Sequence, residues 1–171
     1  MGAYVCSNCG AEARVVTARK YQFRETPLKR VYLCGIHLIK CDKCKNVDPI
    51  IPELDDLLSS LAHAVTNKRS RLKGDEIRFL RKYVGKTQAQ FARILELDPT
   101  TISKYENDDD VPGAQTDRLI RLVAIGLGVT GNASKNWMAD TVGQFENIED
   151  VPRASPLEYE SKTGEVQYAG R

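Results

Sequence analysis

Residues 87–107, T-Q-A-Q-F-A-R-I-L-E-L-D-P-T-T-I-S-K-Y-E-N, fit two short helices joined by a tight turn and little else. Thr87 can cap the first helix, and Gln90 three residues on completes a capping box. Phe91 and Leu95 are four apart and share one face, while Ala92 is small where a second helix must cross closely. Asp98 is a good N-cap, and Pro99 suits the first helical position because its missing N–H would have no partner there. The second helix is expected over Thr100 to about Glu106. Ile102 and Tyr105 turn inward in that helix, leaving Thr100, Thr101, Ser103 and Lys104 outward. Small polar groups and one cation on a short braced helix suit the DNA major groove. Gln88, at the start of its helix, is placed to hold a phosphate. The plainer alternative is a helical hairpin packed into a core.

The same residues carry a resemblance. Thr87-Gln88, Ala92, Leu95, Leu97, Thr101-Ile102-Ser103 and Tyr105-Glu106-Asn107 resemble the signature of XRE-type (Cro/repressor-like) helix-turn-helix domains over about Asp75 to Leu127. Two positions depart from the pattern. Glu96 stands where the family usually has a turn glycine, so a non-glycine residue is expected at positive φ. Lys86 stands where an apolar residue is common.

Upstream, Cys6-Ser-Asn-Cys9 and Cys41-Asp-Lys-Cys44 are two C-x-x-C pairs separated by 31 residues. Each pair can place two thiolates on one turn, and two such turns can close a tetrahedron around one structural zinc ion. The intervening chain is long enough for a small sheet. Arg14–Thr17, Lys20–Phe23 and Lys29–Leu33 are the expected strands, rich in β-branched and aromatic residues. A domain of this size gains much from a metal staple, and the disulfide alternative needs an oxidising compartment. Cys34 is left over and is expected to be a small buried hydrophobe. His37 could replace a cysteine, but a paired or exposed structural histidine is the simpler reading. A closed four-thiolate site offers no open coordination position, and no nucleophile–base constellation is visible, so the chain is not expected to be an enzyme.

The paired C-x-x-C, the β-rich insert and Gly35-Ile36-His37 before the second pair resemble a YgiT-type zinc-finger domain. A YgiT-type finger followed by an XRE-type domain is the layout of MqsA-like antitoxins. The resemblance implies an N-terminal domain that binds zinc structurally and docks a toxin. It also implies a C-terminal domain that forms a homodimer on a palindromic operator. The two family positions that read bases fall on Thr100 and Lys104. They are typically Asn and Arg in the family, so a different base sequence is expected.

Charge is unevenly distributed. Residues 1–70 carry a net +4, 71–127 a net +1 and 128–171 a net −3. The middle segment is weakly basic for a DNA binder, and Asp108-Asp109-Asp110 directly follows the expected recognition helix. That run would repel phosphates if it faced them, or it is a solvated loop. Asn46–Pro52 is a turn-rich exit from the first domain, and Leu54, Leu57, Leu58, Leu61 and Val65 form an amphipathic stripe after it. His63 lies off that stripe. Residues 67–71 read as a basic hinge with a possible phosphate role. Asp75 opens a helix with Ile77, Leu80 and Val84 on one face and Gly85 as its stop. In the next helix Leu119, Leu122, Val123 and Ile125 are expected under the helix-turn-helix. Ile120 and Leu127 widen the apolar surface toward a dimer interface.

The resulting expectation is an α+β chain. Residues 1–47 form a β-rich zinc-binding domain, 48–73 a connecting helix and hinge, and 74–127 an all-α helix-turn-helix domain. Residues 128–171 form a loose tail with a marginal helix near Trp137–Phe145 and a possible hairpin around Ser161–Gly164. An apolar content of 42% with 28% charged residues is that of soluble globular chains. No apolar run approaches 18 residues and residues 1–10 lack a signal-peptide core, so a cytoplasmic protein is expected. Two functions stay open. One is an antitoxin that represses its own operon and binds a toxin. The other is a stand-alone zinc-containing regulator.

Overall fold

The computed structural model describes residues 4–128, 133–145, 148–152 and 156–169. The fold is mixed α+β: an N-terminal sheet region, a helical region and a C-terminal β-hairpin. The chain forms two compact units that do not follow its linear order. One comprises residues up to Phe23, Arg30–Leu57 and Pro156 onward; the other comprises Arg24–Lys29 and Leu58–Ser155.

The first unit is built on a sheet of six strands. They are β1 (Tyr4–Val5), β2 (Glu12–Gln22), β3 (Val31–Lys40), β4 (Val47–Ile50), β7 (Leu157–Glu160) and β8 (Glu165–Tyr168). Arg14–Thr17 and Lys20–Phe23 are thus not two strands; a single strand, β2, runs through both, and the third stretch extends to Lys40. Nothing in Ala18-Arg19 forces a turn, so pairing with β3 continues across it. β3 is the central strand. β2 lies along one side of it, and its other side is shared by β7, parallel to Val31–Cys34, and β4, antiparallel to His37–Lys40. Along β3 the buried positions are Val31 and Leu33, then Ile36 and Leu38. The inward parity changes at Gly35, which sits at φ 70° where an L-residue is strained. The expected tail hairpin forms around Gly164, also left-handed at φ 71°, and β7 buries Leu157.

The second unit starts inside α1 (Leu54–Thr66), whose Leu61, Ala62 and Val65 are fully buried. It continues through β5 (Ser70–Arg71), α2 (Gly74–Tyr83), α3 (Gln88–Ile94), α4 (Pro99–Glu106), α5 (Ala114–Gly128), α6 (Ala133–Gln144) and β6 (Glu149–Pro152). Ile77, Leu80, Phe91, Ala92, Leu95, Ile102, Ile120 and Ile125 form its core.

Three expectations change here. First, residues 67–71 are not a loose basic hinge. Lys68 is buried and pairs with Glu76 at 2.6 Å, and burial pushes its ammonium pKa down. The Arg121 guanidinium binds the carbonyls of Thr66, Lys68 and Ser70 at 2.7, 2.7 and 2.8 Å. Second, of the residues expected inward on α5 only Ile125 is fully buried; Leu122 and Val123 are half-buried and Leu119 is exposed. Asp117, Ile120, Arg121 and Ala124 complete the buried stripe, so Ile120 belongs to the core and not to a dimer surface. Arg121 must reach those carbonyls, and its ion pair with Asp117 at 2.8 Å, one turn away, sets the rotation of the helix. Third, α6 is packed rather than loose at Trp137 and Thr141. Trp137 is buried with its Nε1 donating to Thr66 Oγ1 at 2.7 Å, and Thr141 Oγ1 donates to Asn67 Oδ1 at 3.0 Å. β6 pairs with β5. The parts of the expected tail at 129–132, 146–147, 153–155 and 170–171 lie outside the described residues. Among the described residues no helix is long and apolar enough to cross a membrane.

Candidate metal centre and nucleic-acid interface

The two C-x-x-C turns are built alike. Cys6 N–H donates to Ala11 O at 2.8 Å and Gly10 N–H to Cys6 O at 2.9 Å. Cys41 N–H donates to Asn46 O at 3.0 Å and Lys45 N–H to Cys41 O at 3.0 Å. Each turn reverses on a left-handed residue after its second cysteine, Gly10 at φ 67° and Lys45 at φ 62°. The turns are joined by Asp48, whose carboxylate accepts from Ser7 Oγ at 2.6 Å and Asn46 Nδ2 at 2.9 Å.

This framework brings all four sulfur atoms within 4.8 Å of one another. Cys6 and Cys44 are 3.4 Å apart, and Cys9 and Cys41 are 3.6 Å apart. A thiolate tetrahedron with metal–sulfur bonds of about 2.3 Å has sulfur–sulfur edges of about 3.8 Å. The donor set therefore fits one tetrahedral ion with little movement. The Asn46 N–H, followed by the Cys6 thiol, pushes the Cys44 pKa down to about 6. At Cys9 the Ala11 N–H also favours the thiolate, but hydrogen bonding with Cys44, desolvation and the other thiols outweigh it and push the pKa up to about 12. Thiols crowded this closely compete for negative charge, which a bound cation relieves.

Cys34 and His37 are outside this group. Cys34 is half-buried on β3 rather than fully buried, because its face of the sheet also carries Lys20, in register with it. Burial and then the Glu158 and Glu160 carboxylates push its thiol pKa up. His37 is exposed and shares a hydrogen bond of 3.1 Å with Thr17 Oγ1.

In the helical unit, Thr87 caps α3 as expected. Its Oγ1 accepts from Gln90 N–H at 3.2 Å, and Gln90 Oε1 accepts from Thr87 N–H at 3.0 Å. Asp98 is the N-cap of α4 by backbone geometry, although its side chain makes no capping bond, and Pro99 begins the helix. Helices α2, α3 and α4 all end in the same way. The left-handed residues are Gly85, Glu96 at φ 54° and Asp108 at φ 61°. The next residue's N–H returns to a carbonyl five residues back in each case: Lys86 to Arg81, Leu97 to Ala92, Asp109 to Lys104.

On α4, Ile102 and Tyr105 are buried, Thr100 and Lys104 are exposed, and Thr101 and Ser103 are half-buried. Gln88 is half-buried, and one of its amide hydrogens is committed to Glu106 Oε2 at 3.0 Å. The Glu106 side chain has no solvent exposure. Its carboxylate also binds Arg81 Nε at 2.5 Å, Arg81 Nη2 at 3.1 Å and Arg78 Nε at 3.3 Å. Burial alone would raise its pKa, but bonds from Arg81, Gln88 and Arg78 hold it below the usual carboxylate range. One carboxylate thus joins α2, α3 and α4, a role the sequence reading missed. Its signal was a charged residue beside Tyr105 with two arginines three apart, Arg78 and Arg81, in α2.

Residues 77–130, about a third of the chain, match the family model for a helix-turn-helix. No curated protein matches the chain. The paired helices α3 and α4, with polar groups outward on the second, lie within that match. They support a sequence-specific DNA-binding regulator in which the cysteine cluster is a candidate metal centre.

Proposed function

We propose that this protein is a transcriptional repressor acting as the antitoxin of a toxin–antitoxin pair, and that it works by binding rather than catalysis. The observation that carries the DNA-reading part is the outward placement of Thr100 and Lys104 on α4, with Glu106 fixing that helix to α2 and α3. Lys104 contacts a base edge, most naturally guanine O6/N7, and Thr100 a neighbouring base or its methyl group. Thr101 and Ser103 flank them, and Gln88 lies near a phosphate. A homodimer on a palindromic operator would place two such helices one DNA turn apart. The exposed Leu119 and Leu127 of α5 are the apolar groups available for that pairing. The metal is one zinc ion held by Cys6, Cys9, Cys41 and Cys44; four thiolates in a closed cluster favour zinc over harder cations.

The reading is tested at both ends. Lys104→Ala should cost about 1–3 kcal/mol on the preferred operator and relax one position per half-site. Equal losses on operator and random duplex would remove the base-reading role. The antitoxin part rests on the order of a four-cysteine sheet unit before a helix-turn-helix, which resembles MqsA-like proteins. Expressing the adjacent small reading frame alone should arrest growth, and co-expression of this protein should relieve it. If no neighbouring frame is toxic while DNA binding is intact, the protein is a stand-alone zinc-containing regulator.

A further inference from the structure

We propose that Asp108 and Gly74 are positioning residues that fix the angle at which α4 is presented to DNA. This rests on α4 being the helix that reads sequence. Asp108 follows the last turn of α4 in a left-handed conformation. Its Oδ1 accepts from the Gly74 N–H at 2.8 Å, at the first residue of α2. That N–H is one of those a helix start leaves without a partner, and the helix dipole favours a carboxylate there. The second carboxylate oxygen lies 3.9 Å from Lys29 Nζ.

Gly74 in turn leaves no space for a side chain. A Cβ on it would come within 2.5 Å of Tyr105 O and 2.6 Å of Glu106 O. Both are backbone atoms of α4, so the clash is relieved only by moving the helix. Arg78, one turn along α2, adds bonds to Glu106 O at 3.1 Å and to Asn107 Oδ1 at 2.7 Å. The C-terminal end of α4 is therefore pinned to α2, while Thr100 at its other end is exposed.

This arrangement works as a lever. The eight steps from Thr100 to Asp108 span about 12 Å, so a small displacement at the pinned end tilts the whole base-reading face. Base-edge bonds tolerate roughly 0.5 Å of misplacement. Affinity for random duplex comes from charge and tolerates much more. Asp108 would then act on sequence preference through its acceptor oxygen and backbone conformation, while its negative charge, favoured by the start of α2 and by Lys29, contributes to stability and not to that preference. That assigns a purpose to the first residue of the acidic run that follows α4.

The test compares wild type, Asp108→Asn, Asp108→Gly and Gly74→Ala on an operator selected by the wild type and on random duplex, each over a salt series. Asp108→Asn keeps an acceptor and tolerates the left-handed backbone, so its operator-to-random ratio should equal wild type. Asp108→Gly relieves the backbone but deletes the acceptor. Its thermal stability should hold or rise while the ratio falls about tenfold, with random affinity and salt slope unchanged. Gly74→Ala should lower the ratio in the same way. A wild-type ratio in Asp108→Gly, or equal losses on both DNAs, overturns the proposal. If the wild type selects no sequence, the DNA reading itself fails. Amide exchange then decides the pinning: Asp108→Gly should deprotect Gly74 and the α4 amides, and unchanged protection overturns it.

Discussion

Among the described residues, Lys45, Glu96 and Asp108 take a left-handed backbone conformation that favours glycine, and Lys45 and Glu96 can be set beside glycines that do the same job. Gly10 and Gly85 reverse the chain after the first cysteine turn and after α2 at low steric cost. Lys45 and Glu96 do the equivalent job after the second cysteine turn and after α3 with a Cβ in the way. The steric cost of such a residue is about 1–2 kcal/mol, and glycine returns part of it as entropy of the unfolded chain. Glu96→Gly and Lys45→Gly should therefore each stabilise their own unit by about 0.5–1 kcal/mol, read from chemical denaturation. A destabilised Glu96→Gly would mean that the side chain makes a contribution its exposed position does not suggest. Glu96 was legible in the sequence because it interrupts a motif that expects glycine. Lys45 was not, because a lysine carries no signal for a left-handed turn. It becomes visible only when its turn is laid beside the one ending at Gly10.

At the scale of elements, legibility followed local chemistry. The caps and apolar spacing of residues 87–107 are encoded within a few positions, and α3 and α4 form where that spacing places them. The hairpin β7–β8 was readable from its alternation and from Gly164. Its partner was not, because pairing with Val31–Cys34 joins segments more than a hundred residues apart and leaves no local trace. The helix α6 was expected near Trp137–Phe145, but its packing was hard to see for another reason. Its hold on the unit includes specific polar bonds: Trp137 Nε1 and Thr141 Oγ1 donate to Thr66 and Asn67, and just after the helix Arg118 donates to Phe145 O at 2.9 Å. Hydrophobic periodicity does not register such bonds. The same blindness missed the buried Asp117 and Arg121 of α5, since a buried arginine is rare and Arg121 is fully buried. Its three carbonyl partners and the Asp117 carboxylate supply the compensation that burial of such a charge requires.

For the whole molecule, the four cysteines and the last strands belong to one cooperative question. The sheet unit contains both the cysteine turns and β7–β8, which pairs through β3. A structural zinc bound by thiolates contributes on the order of 10–16 kcal/mol in small domains, comparable to or larger than the 5–15 kcal/mol that holds a typical domain together. Removing one ligand should therefore unfold the sheet as a unit, tail hairpin included, rather than fray the cysteine turns alone. Cys41→Ser is the suitable change because Cys41 is buried and anchors the second turn through both its N–H and its carbonyl. Elemental analysis should find about one zinc per wild-type chain and a large loss in the variant. Amide exchange should then show residues 31–40 and 157–168 losing protection together, while α2 to α5 keep theirs and still melt cooperatively. Cys34→Ser, outside the cluster, should keep its metal. Full zinc in Cys41→Ser would reject the ligand assignment. A hairpin that stays protected after metal loss would show that β3 and β7 hold without the metal, and that the cysteine turns are a local staple.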